Sequence, residues 1–106
     1  MDEQTYWAIE IVDYTGKGGR TIGSGTVLQY YPNEGGVAEI LFTDKERASG
    51  YARQAVDTEH TEWRLTPLQE GELAYFIETS VPKKTHVLID PEYGDEERAL
   101  QPIIRE

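Results

Sequence analysis

A run of eleven residues, Thr15 to Gly25, holds five glycines with Lys17 and Arg20 set among them. Backbone amides in such a run can form a nest around an anion, and two neighbouring cations suit phosphate. Lys17, Gly18, Gly19 and Arg20 are the candidate anion-binding residues. Their order is neither that of a P-loop nor that of the dinucleotide fingerprint. Glycine also supplies the positive φ of turns, so a long hairpin loop is the favoured account of residues 16–25.

Metal and proton-transfer chemistry have thinner material. Glu59-His60-Thr61-Glu62 offers imidazole and carboxylate, but the second of the two histidines, His86, lies far along the chain. A structural zinc site takes four ligands and a catalytic one three, so no metal site is expected. Asp90, Glu92, Asp95, Glu96 and Glu97 place five carboxylates within eight residues, without the ligand order of an EF-hand. An acidic surface loop is the expectation for 90–97. Asp90 closes an apolar strand and is an alternative ligand-binding or acid–base position, although the rule that ligands gather at strand ends belongs to parallel sheets and transfers poorly to the antiparallel sheet expected here. Ser24, Ser49 and Ser80 lack the strand–turn–helix context of an activated serine. No catalytic residue is assigned and no cofactor is expected.

The seven tyrosines are a stronger signal in a chain of 106 residues. Tyr30 and Tyr31 are adjacent, and alternation sets Tyr6 and Tyr14 on the strand face opposite Trp7. Aromatics with a hydroxyl are enriched at interfaces, so Tyr6, Tyr14, Tyr30 and Tyr31 are the candidate interface residues. Cross-strand aromatic pairs on an ordinary sheet surface would use the same residues.

These groups must be carried by a regular framework. Tyr6 to Tyr14 and Thr26 to Tyr31 are rich in β-branched and aromatic residues and read as strands, as does Val37 to Phe42. Together they predict a three-stranded meander. Glu10 between two isoleucines implies one solvated face and hence an antiparallel sheet. Thr43-Asp44-Lys45-Glu46 has capping-box spacing with Thr43 as the cap. The helix after it stripes Ala48, Tyr51, Ala52, Ala55 and Val56 on one side. Glu62 to Thr66 alternates as a fourth strand. A second helix runs from Gln69 or Glu70 to Val81, burying Leu73, Phe76, Ile77 and Val81. Thr85 to Asp90 reads as a central strand, and Ala99 to Arg105 as an edge segment held outside by Pro102. The expected fold is α+β: a mainly antiparallel sheet of five or six strands with two helices packed on one face, in a single domain over residues 1–106.

Composition narrows the partners. Twenty acidic residues against ten basic ones give a formal charge of −10. Such a surface repels phosphate backbones and anionic lipid, so neither nucleic acid nor membrane is an expected partner. It would instead speed association with a basic protein. The absence of cysteine excludes disulfides and thiolate metal sites. The N-terminus has no signal-peptide pattern, and no apolar run is long enough to span a bilayer, so a cytoplasmic location is expected. One Asn and one Met accompany the missing Cys, a depletion compatible with a thermophilic source.

Three pieces between residues 41 and 91 resemble the SseB-type bacterial domain, named for enhanced serine sensitivity. They are Leu41-Phe42-Thr43-Asp44 leading into Glu46-Arg47-Ala48, then Leu65-Thr66-Pro67-Leu68, then Val87-Leu88-Ile89-Asp90-Pro91. The resemblance implies a small α+β domain with no established catalytic residue to carry over. The glycine-rich N-terminal hairpin departs from that pattern. The expected function is a non-catalytic interaction or regulatory module that meets a protein partner or a second copy of itself as a homodimer. The alternatives are a ligand-binding or enzymatic domain using loop 16–25 and the strand end at Asp90, and an acidic inhibitor of a basic protein.

Overall fold

The computed structural model describes residues 4–14, 26–56, 61–79 and 83–103. Strand β1 (Thr5–Tyr14) lies between β2 (Thr26–Val27) and β5 (Thr61–Gln69), antiparallel to both. A second sheet runs β3 (Gln29–Tyr30), β4 (Ala38–Leu41), β6 (His86–Ile89), β7 (Leu100–Pro102). Within it β4 and β6 are parallel, and the other pairs are antiparallel. Helix α1 (Lys45–Ala55) follows β4, α2 (Glu70–Thr79) follows β5, and one turn of 3₁₀ helix, Glu96–Ala99, precedes β7.

The fold is α+β, as the pattern of elements predicts. The meander is present in outline, but its second strand divides at Leu28. Thr26–Val27 pairs with β1, and Gln29–Tyr30 pairs with β4. The two sheets are stitched between these pairings. Trp7 and Phe42 exchange amide-to-carbonyl bonds of 2.7 and 3.0 Å, and the Leu28 amide donates to the Ile9 carbonyl at 2.7 Å.

The helices take opposite faces of this framework, not the single face expected. Alternation along the strands sorts the core into two layers. Ile9, Ala38, Ile40, Phe42 and Leu88 pack with Ala48, Tyr51 and Ala52 of α1. Ala8, Leu41 and Leu68 form the other layer, against which Leu73 and Phe76 of α2 pack. All four residues of β4 are buried, which requires cover on both sides. That double burial is the mark of a strand flanked by a parallel partner. The edge position of Pro102 is as expected, since β7 ends its sheet.

The start of α1 departs from the capping box. Asp44 is the N-cap, in extended conformation at φ −133, and its side chain accepts from the Glu46 amide at 3.0 Å. Thr43 instead donates both its amide and its hydroxyl to Asp90.

Candidate functional site

The parallel pairing brings the C-terminal ends of β4 and β6 side by side, with Asp90 at their junction. Its backbone is left-handed, φ 52, a conformation Asp tolerates better than most residues. The turn aims the Asp90 amide at the Leu41 carbonyl, 2.9 Å away, and its carboxylate at Thr43. Oδ1 accepts the Thr43 amide at 2.9 Å and Oδ2 accepts the Thr43 hydroxyl at 2.6 Å. Asp90 therefore ties the end of β6 to the turn that launches α1.

Beside this junction lies an open cleft of about 360 Å³, bounded by Arg47, Tyr51 and Gln54 of α1 and by Asp90, Glu92 and Tyr93. Its floor is aromatic. Tyr51 packs at a tilt on Phe42, centroids 5.4 Å apart, and meets Tyr93 edge to face at 5.7 Å. The Tyr51 hydroxyl donates to Glu96 Oε2 at 2.7 Å, and the other oxygen of Glu96 accepts the Gly94 amide at 3.0 Å. Burial, reinforced by that carboxylate, drives the Tyr51 hydroxyl pKa far above its ordinary value. Tyr30 is pushed up to about 12, chiefly by its hydrogen bond to Glu97, with burial and the charges of Glu97 and Glu96 adding to it. Glu97 also accepts the Asn33 amide at 3.3 Å. The acidic loop is thus fastened to the scaffold through tyrosine hydroxyls and amides. A smaller recess of about 180 Å³, bounded by Asp95, Arg98 and Ala99, adjoins the cleft across Asp90 and Glu92.

The candidate interface tyrosines do not share one face. Tyr6 packs on the α2-side core, where it borders a groove of about 410 Å³ with Leu73, Ile77 and Ile103. Tyr30 packs on the α1-side core. Tyr31 is 64 % exposed. The backbone of Tyr14 ends β1, opposite Thr61, and its side chain lies outside the described set. Lys17, Gly18, Gly19 and Arg20, with the rest of the glycine run, lie outside the described residues, as does His60. His86 is engaged on both sides: Nδ1 is 2.7 Å from the Thr85 hydroxyl and Nε2 2.9 Å from Glu34 Oε1. Among the described residues no three His, Asp or Glu side chains gather as a metal set.

One polar cluster has no counterpart in the sequence reading. Glu39 of β4 is fully buried, and the Lys84 ammonium, 1 % exposed, stands 3.8 Å from its Oε2. Gln29 is its direct cross-strand neighbour. Among the described residues no hydrogen bond of ordinary length reaches Gln29 Oε1 or either oxygen of Glu39, whose charge is met by Lys84. Burial pushes the Glu39 carboxyl up to about 7 against the opposing pull of Lys84. The only available signal was a Glu in a strand whose neighbours Ala38, Ile40 and Leu41 are all apolar.

Among the described residues no helix is long and apolar enough to cross a membrane. Comparison of the chain with models of known protein families, with curated proteins and with solved structures finds no significant match.

Proposed function

We propose that this chain is a non-catalytic protein-interaction or regulatory module, working through the aromatic and acidic face at the ends of β4 and β6. The observation that carries the reading is how the strand-end carboxylates are used. Asp90 holds Thr43, Glu96 holds Tyr51, and Glu97 accepts from Tyr30 and the Asn33 amide. They stiffen the support beneath the presented ring of Tyr93, 52 % exposed, and hold Tyr30 beside Tyr31, 64 % exposed, which stands past the start of β4. Rigid tyrosines offer contact area at low entropic cost, which suits protein recognition. The net charge of −10 favours a partner with a basic surface.

The test is affinity capture on the immobilised chain, at low and at physiological salt, beside the Tyr31→Ala/Tyr93→Ala variant. A protein retained by the parent chain, released by salt and lost from the variant supports the proposal. Capture indifferent to the double substitution, or no protein retained at either salt, overturns it.

A further inference from the structure

Among the described residues β5 is the outer strand of its sheet, with β1 as its neighbour on one side. The hydrogen bonds of β1 on its far side fix which backbone groups of β5 face outward. Trp7 spends its amide and carbonyl on Phe42, and the Ile9 carbonyl accepts from Leu28, so these residues turn away from β5. Their partners Pro67 and Leu65 therefore turn away from β1, and Trp63 and Thr61 follow by alternation. Gln69, of the same parity, sends its amide to Glu72 Oε1 at 3.3 Å. One end of this edge is thus closed, by that cap and by Pro67, which has no amide to offer. Thr61, Trp63 and Leu65 leave a short open stretch. Among the described residues no backbone bond outside the β1–β5 ladder reaches it.

We propose that this stretch pairs antiparallel with the same stretch of a second copy, joining two sheets edge to edge about a two-fold axis at Trp63. This inference concerns a different surface from the strand-end face and does not depend on it. Side-chain charge selects the register. An axis at Glu62 sets Glu62 against itself, and one at Arg64 sets Arg64 against itself, each a like-charge pair directly opposite. An axis at Leu65 aligns Trp63 with Pro67 and loses donors. With the axis at Trp63, Trp63 exchanges two backbone bonds with its own copy, and Leu65 exchanges two with Thr61 at each end. Glu62 then faces Arg64 of the other copy twice, at the close non-hydrogen-bonded positions. Arg64 already contacts Glu10 at 3.0 Å while its side chain stays 64 % exposed. Its five N–H donors leave it able to bridge Glu10 and the second Glu62 together. Trp63, half-buried in the single chain, stacks against its own copy.

Sedimentation equilibrium on the full chain tests the pairing. The parent chain should run at twice its 12.1 kDa mass at high concentration. Glu62→Arg and Arg64→Glu should each raise the dissociation constant about tenfold or more, by turning two opposite-charge pairs into like-charge pairs. The double swap should restore association. Because the chain has no cysteine, Glu62→Cys/Arg64→Cys supplies an independent readout that does not rely on the swap folding well. Facing non-hydrogen-bonded positions lie within disulfide reach, so this variant should oxidise to a covalent dimer. A parent chain that stays monomeric to millimolar concentration, a dimer indifferent to both charge reversals, or failure of the cysteine variant to cross-link overturns the proposal.

Discussion

Asp90 shows how much one residue's surroundings decide about its role. Its place at the end of an apolar strand is legible from the sequence, and so is the attraction of that position for a ligand. Its partner is not, because Thr43 stands 47 residues earlier and meets it only once β4 and β6 are parallel. Removing the carboxylate leaves the Thr43 amide without its acceptor and puts Ala into a left-handed turn. Asp90→Ala should therefore lower stability by about 1–3 kcal/mol in urea denaturation. Asp90→Asn, which retains an acceptor oxygen and tolerates positive φ, should lose less. The tyrosines make a similar point. Their number suggests an interface, yet the hydroxyls of Tyr30 and Tyr51 are engaged with Glu97 and Glu96. In an ultraviolet titration, Glu97→Ala, which removes both the acceptor and the charge, should bring Tyr30 down from about 12 toward the ordinary phenol range, because its largest perturbation is that hydrogen bond.

At the scale of elements, local pattern and tertiary pairing contribute differently. The existence of β1, α1 and α2 is legible from alternation and apolar stripes, and that of β4 and β6 from short apolar runs. The face each helix takes is not. It depends on β4 being covered on both sides, which a four-residue segment containing Glu39 does not announce. The division of the second strand at Leu28 is equally hidden, since its cause is the gap between two sheets. Two glycines with opposite requirements test this account of the elements. Gly36 has φ 91, and a Cβ there would run into the Thr85 hydroxyl, which accepts the Val37 amide at 3.0 Å. Gly36→Ala should destabilise by roughly 1–3 kcal/mol and loosen the entry to β6. Gly50 sits within α1 with open space where a Cβ would stand. Gly50→Ala should stabilise by about 0.5–1 kcal/mol, and parallel denaturation curves would show the two shifts in opposite directions.

For the whole molecule, the buried Glu39 imposes a pH dependence that ordinary acid denaturation would run against. Its carboxyl is raised from 4.5 to about 7 because burial outweighs the attraction of Lys84. Between those values the folded chain holds a proton that the unfolded chain has released. Stability from this group is thus fully present below pH 4.5, declines as pH rises, and is lost above about 7. Gln29, paired with Glu39 across the strands, also carries a buried acceptor, Oε1, for which no hydrogen bond is found among the described residues. The net charge of −10 pushes the same way, since self-repulsion also grows as pH rises from the isoelectric point near 4.6. The two contributions separate in Glu39→Gln, which cannot titrate at this position and changes the net charge by one. Between pH 5 and 7 the parent chain should lose stability more steeply than the variant, by roughly 1 kcal/mol per pH unit. Urea denaturation of both chains at half-unit steps reads this directly. Equal slopes would mean that Glu39 stays ionised throughout and that Lys84, not a bound proton, settles the charge at the centre of the sheet.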